Sequence, residues 1–146
     1  MTDRDMWLLF TKTGKPKTNE YDSWAFGDDP DRLATMVLEG RKTATASAYD
    51  LYAYDGEEIP KAGEYSVILD SSDQAVCIIM DTDVRVVPFK DVDENHAKAE
   101  GEGDLSLAYW RDVHEKFFRK ELEDARMEFS EDAMIVLERF EIVFRP

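Results

Sequence analysis

Only one cysteine and two histidines occur in this 146-residue chain, and basic residues are scarce, eighteen against thirty-three acidic ones. A lone Cys77 excludes a disulfide within the chain. It lies inside the apolar run Ala75-Val76-Cys77-Ile78-Ile79-Met80, where a thiol behaves as a small hydrophobe and thiolate formation is disfavoured. His96 and His114 stand in no metal-ligand spacing with a cysteine or with each other, so no metal site is indicated. A glycine-rich phosphate loop and a Ser-His-Asp elbow are both missing, which removes support for cofactor chemistry. The apolar stretch Met6-Trp7-Leu8-Leu9-Phe10 is too short for a secretory segment or a membrane span, so a cytoplasmic protein without a membrane partner is expected. A formal charge of −15 repels the phosphate backbone, which argues against DNA and against tight general binding to RNA. Internal repeats and low-complexity segments are also absent.

What is present suits one domain over 1–146, because a chain of this length buries about 68–70% of its unfolded surface. Short β-branched runs, Tyr65 to Leu69, Val76 to Met80, Val84 to Phe89 and Met134 to Phe144, are separated by Gly, Ser-Ser-Asp or Pro signals. They predict an antiparallel, mostly closed sheet, since closure removes exposed strand edges. Residues 11–23 are polar, with Gly14 and Pro16, and read as a loop. Two helical patterns interrupt the strands. One runs from a capping-box-like Asp91-x-x-Glu94 to Gly101 and places His96 and Glu100 on one face. The other begins near Asp104, with Asp104 as its N-cap, and carries Leu107, Trp110, His114 and Phe118 at helical spacing. The charge-dense run from Glu121 to Glu131 reads as solvated.

Chemistry concentrates at Gly40-Arg41-Lys42-Thr43-Ala44-Thr45. A capped helix precedes it, with Asp29 as N-cap, Pro30 at the first position, Leu33, Met36 and Val37 at helical spacing, and Gly40 as a left-handed stop. In a regular strand Lys42 and Thr45 would face opposite sides, so a bend is needed before they can share a cleft. Glu100 is the third member, at a helix C-terminus beside Glu102 and Asp104. The macrodipole and those neighbouring carboxylates are expected to push its pKa upward, which suits general acid/base work. Plainer readings exist: Lys42 capping the preceding helix's carbonyls, Thr45 as an ordinary strand residue, Glu102 as a turn residue. Arg41 and Lys42, with Arg85 or Lys90, offer a small basic patch. Trp24, Phe26, Tyr49, Tyr109 and Trp110 have faces on which a flat heterocycle can stack, although helical spacing assigns Trp110 to packing. His96 shares a face with Glu100 and can tune it, whereas His114 reads as a satisfied core-edge group.

Gly40-Arg41-Lys42-Thr43-Ala44-Thr45 matches the G-x-K-x-x-T/S of the ASCH (activating signal cointegrator homology) domains, small barrels of the PUA-like superfamily. Trp24-Ala25-Phe26-Gly27-Asp28, Pro60 and Gly63, Glu100-Gly101-Glu102-Gly103-Asp104 and Tyr109-Trp110 extend the match. The chain thus resembles the longer bacterial branch of that family, over a core of about residues 20–144. The resemblance implies an α+β fold, a PUA-like, mostly antiparallel β-barrel flanked by helices. A short bacterial branch carries Lys, Thr and Glu at the positions of Lys42, Thr45 and Glu100 and hydrolyses the amide of N4-acetylcytidine. By that resemblance Lys42, its pKa lowered in a partly dry pocket, takes the proton of Thr45. Thr45 Oγ attacks the acyl carbonyl, and Glu100 orients Lys42 or protonates the leaving amine. Arg41, Trp24, Phe26, Glu102 and Tyr109 are the expected substrate contacts. The expected partner is a small nucleoside or base, and no cofactor is implied. The alternatives are an RNA-associated module, binding single-stranded RNA or acting as a weak ribonuclease, and a non-catalytic nucleotide-binding domain. Substrate and oligomeric state are not legible at this level.

Overall fold

A computed structural model describes all of residues 1–146. The elements in chain order are α1 (Asp3–Thr11), β1 (Asp22–Ala25), α2 (Pro30–Leu38), β2 (Ala44–Ala48), α3 (Tyr49–Tyr54), β3 (Tyr65–Leu69), β4 (Ala75–Pro88), α4 (Glu94–Glu100), α5 (Leu107–Asp124) and β5 (Met134–Phe144), with a single 3-10 turn at Phe89–Asp91. The five strands form one sheet in the order β1-β3-β4-β5-β2. Only the β1–β3 pair is parallel; the other three are antiparallel. The long strands β4 and β5 are its spine, and their register slips at Ile78/Ile79 and again at Asp81/Asp83. Such bulges bend a strand and sharpen its twist. The sheet curls into a half-barrel whose open side lies between its two ends, β1 and β2. The expected α+β class and barrel-like sheet are therefore present.

Alternate residues of the strands feed different cores, as the two-residue period requires. Val67 and Ile78 pack with Met6, Trp7, Phe10 and Tyr65 beneath α1. Ile68, Cys77 and Ile79 face the other way, onto Leu33, Ala34, Met36 and Val37 of α2. A third core joins Ala97, Trp110, Phe118 and Leu122 of the last two helices to Phe89, Phe129, Ile135 and Leu137. Burial pushes the Cys77 thiol up to about 12, so its expected inertness holds. No helix is long and apolar enough to cross a membrane.

Three local readings are corrected. The α4 N-cap is Asp93, whose side chain accepts from the His96 amide, and not Asp91; Asp91 closes the preceding 3-10 turn instead. The α5 N-cap is Ser106, which accepts from the Tyr109 amide, while Asp104 accepts from Ser106 one step earlier. The polar segment ends at Tyr21, because Asp22 already pairs with Ser66 as the first residue of β1.

A candidate active site around Lys42 and Glu100

The turn carrying Lys42 is tied down from three sides. Gly40, at φ +76°, ends α2 with a pair of bonds, Gly40 N–H to Val37 O and Arg41 N–H to Met36 O, the arrangement a left-handed glycine permits. Thr43 donates both its amide and its hydroxyl to Ala99 O in α4, at 2.7 and 3.1 Å. The Phe140 amide of β5 donates to Thr43 O. Gly101, the left-handed cap of α4, lies against this turn so closely that a Cβ there would collide with the Arg41 carbonyl. This contact explains why a glycine follows Glu100: it brings the end of α4 against the turn, which sets Lys42 beside Glu100. The bend also resolves the strand-parity problem, and Lys42 and Thr45 line one cavity of about 380 Å³.

Lys42 is 2% exposed and Glu100 1% exposed, with Nζ 3.2 Å from Glu100 Oε1 and 3.5 Å from Glu102 Oε2. The ammonium also lies 5.4 Å from the centre of the Phe26 ring, within cation–π range. Glu100 Oε2 accepts from Trp110 Nε1–H at 2.6 Å and from His96 Nε2 at 2.7 Å. The His96 tautomer protonated on Nε2 makes this bond and leaves Nδ1, which has no partner, as a bare lone pair and not an orphaned donor. His114 Nδ1 donates to Trp110 O, and its Nε2 faces Glu100 Oε1 at 3.5 Å.

The expected upward shift of Glu100 is overturned. Burial alone would raise its pKa, but Lys42 first, then His114 and His96, outweigh it and hold the carboxyl well below its usual range. The macrodipole and the carboxylates adjacent along the chain pointed upward, whereas the ammonium that weighs most comes from a turn 58 residues upstream and His114 from α5. Glu100 is thus a persistent anion, unsuited to donating a proton at neutral pH.

The structure gathers Lys42, Thr45, Glu100, Glu102 and Phe26 around the same cavity. Phe26 is a buried wall whose face meets Lys42. Trp24 packs edge-on against Phe26, 4.9 Å between centroids, and lines a second cavity between β1 and β2. Arg41 is exposed and its nearest acid is Glu39; Tyr109 packs over Gly103. Neither of those two lines the cavity. Arg85 and Lys90 pair with Asp83 and Asp132, so the expected basic patch does not assemble with Lys42. The cavity's other cations are Lys116 and Lys120 of α5. Tyr49 begins α3 on the surface. Trp110 is core packing, as its spacing indicated, and also a donor to Glu100. His114, read from the sequence as a satisfied core-edge group, bonds Trp110 O in that way and also lines the cavity beside Glu100, which the sequence reading did not find. Its position four residues after Trp110 was the available signal, because i and i+4 share a helix face.

Glu100, Glu102 and His114 offer ligand atoms within 4.8 Å of one another. The Lys42 ammonium already lies against both carboxylates, supplying the compact positive charge that a divalent ion would bring.

The family model of the ASCH domain matches residues 22–144. The chain belongs to the ASCH family. Among solved structures, an ASCH domain from Lactobacillus crispatus is 31% identical, with a TM-score of 0.87 over 97% of this chain and 96% of that one. A protein of Enterococcus faecalis is 37% identical, with a TM-score of 0.88 over 97% of this chain and 88% of that one. A hypothetical protein at 13% identity and a TM-score of 0.56 shares the fold alone. No curated protein matches the sequence. In this ASCH domain Lys42, Thr45, Glu100 and Glu102 line one cavity together with residues of α5.

Proposed function

We propose that this ASCH domain is an amidohydrolase acting on an N4-acylated cytosine or cytidine. The observation that carries the reading is the convergence of Lys42, Thr45 and Glu100 on one cavity, with Lys42 buried against Glu100 at 3.2 Å. A lysine out of water and oriented by a fixed carboxylate is a suitable partner for a hydroxyl nucleophile. Once its ammonium has released a proton to solvent, Lys42 takes the Thr45 proton while Oγ forms a bond to the acyl carbon. Lys42 then delivers that proton to the departing cytosine nitrogen as the amide C–N bond breaks. Water attacks the acyl-threonine ester, its proton returns through Lys42 to Thr45 Oγ, and the carboxylic acid leaves. Of the two roles open to Glu100, the low pKa favours orienting Lys42 over protonating the leaving group. His114 Nε2, facing the same carboxylate, is a second group through which a proton can pass.

Purified protein incubated with N4-acetylcytidine tests this directly by release of cytidine. Lys42→Ala, Thr45→Ala and Glu100→Ala, each checked for folding by circular dichroism, should lose turnover by at least a hundredfold, the range expected for removing a positioned acid–base group. Retained turnover in the folded Thr45→Ala protein would remove the acyl-enzyme step. A ligand-binding domain without turnover would instead bind the nucleoside and release nothing.

A further inference from the structure

The second cavity, about 670 Å³, opens between β1 and β2 inside the half-barrel. Thr45, Ala46, Phe26, Gly27 and Phe117 separate it from the Lys42 cavity and line both. The two differ sharply in charge. Three lysines and four carboxyl groups line the first, whereas no lysine or arginine lines the second, whose wall carries seven carboxyl groups. Two of these, Asp81 and Glu138, are 4% and 7% exposed. No basic side chain pairs with either of them, and each carboxyl bonds the other. Asp81 stands opposite Phe140 and Glu138 opposite Val84, on either side of the bulge that skips Thr82 in the β4–β5 ladder, and bulges re-aim side chains of this kind. Burial pushes Asp81 up to about 6, and burial followed by the Asp81 charge pushes Glu138 up to about 9. Burial and their mutual repulsion thus disfavour ionising both carboxyl groups at once. Buried carboxyl groups are ordinarily paired with a cation or hold a metal, and this pair lacks both kinds of partner.

We propose that the half-barrel cavity is a binding subsite for an organic cation, an ammonium or guanidinium group seated between Asp81 and Glu138. The shape of the wall favours such a group over a metal ion. The one compact set of three metal-ligating side chains in the molecule is Glu100, Glu102 and His114, so the Asp81–Glu138 pair lacks a third ligand close enough to complete a coordination shell. Trp24, Tyr52 and Phe117 stand around the same space, and aromatic faces combined with carboxylates attract organic cations. Glu64 and Asp22 raise both carboxyl groups further, repulsion that a bound cation would relieve. The subsite shares Thr45 and Phe26 with the proposed hydrolase site but draws on none of Lys42, Glu100 or His114, so cation binding can be read apart from turnover.

Agmatine, which carries a guanidinium at one end and an ammonium at the other, is a suitable probe. Amide spectra of 15N-labelled full-length protein are recorded as agmatine is added at constant ionic strength, with magnesium chloride as the control. The expected result is saturable shifts confined to β1, the bulge in β4 and the facing part of β5, with no such shifts from magnesium. Asp81→Asn with Glu138→Gln should weaken binding at least tenfold, while Lys42→Ala should leave it unchanged. Shifts spread over the acidic surface, shifts reproduced by magnesium, or the same affinity in the Asp81→Asn, Glu138→Gln protein would each overturn the proposal. Should that double variant not fold, the wild-type shift map and the magnesium control decide alone.

Discussion

Four groups converge on Glu100, namely Lys42, His96, Trp110 and His114. Trp110→Phe keeps the ring in the core but deletes the Nε1–H that reaches Oε2 at 2.6 Å. Loss of a hydrogen bond to a charged acceptor costs about 1.5–3 kcal/mol, which urea denaturation at neutral pH should read. Lys42→Met keeps the length of the side chain and abolishes its charge, leaving Glu100 without its ammonium. Breaking one side of a buried ion pair is expected to cost about 3–5 kcal/mol, and a variant as stable as the wild type would contradict the ion pair's role. The carboxyl groups also predict the shape of the pH–stability curve. Glu100, held below its ordinary value of 4.5, contributes stability that is present above that value and is lost as pH falls through its folded pKa. Glu138 works in the opposite sense. Between 4.5 and about 9 the unfolded chain ionises this group while the folded one keeps its proton, so stability falls as pH rises, by up to about 1.4 kcal/mol per pH unit. Glu138→Gln should flatten that alkaline arm, and an unchanged slope would show that Glu138 does not hold the proton.

At the scale of elements, the contact between the end of α4 and the Lys42 turn organises the site. Gly101→Ala introduces a Cβ at φ +77° directly into the Arg41 carbonyl. The left-handed conformation alone costs a non-glycine residue about 1–3 kcal/mol, and relief of the collision has to move α4 away from the turn. Destabilisation accompanied by loss of turnover is the expected outcome; full activity would mean that the contact does not set the Lys42–Glu100 distance. The elements most legible in the sequence were those with local signals. Asp29, Pro30 and Gly40 mark α2 by capping rules, and the β-branched runs mark β3, β4 and β5. Less legible was α3, whose N-terminus has no side-chain cap and of which only Tyr49 was singled out, as a stacking face. The start of α4 was misplaced by two residues because Asp91 and Asp93 both satisfy the local rule for a cap, and only the fold chooses between them. The site follows the same division. Lys42, Thr45 and Glu100 were legible from a motif, while the charge of Glu100 was not, since its partners arrive from α5 and from the turn after α2.

At the scale of the whole molecule, the acidic surface sets the choice of partner. The net charge is −15, and the three lysines of the first cavity each lie against a carboxylate, so they form no strand-tracking basic groove. Binding of single-stranded RNA, measured between about 50 and 200 mM salt, should be weak and show almost no salt slope; a protein contacting 6–10 phosphates would lose roughly 10³–10⁵ in affinity over that range. A steep slope would move the chain to the RNA-associated reading. The most direct test of the central claim is cytidine release from N4-acetylcytidine by the wild-type protein beside its folded Lys42→Ala and Glu100→Ala variants. Turnover by the wild type and its loss in both variants is the predicted result. No release by the wild type, or equal release by all three, would contradict it.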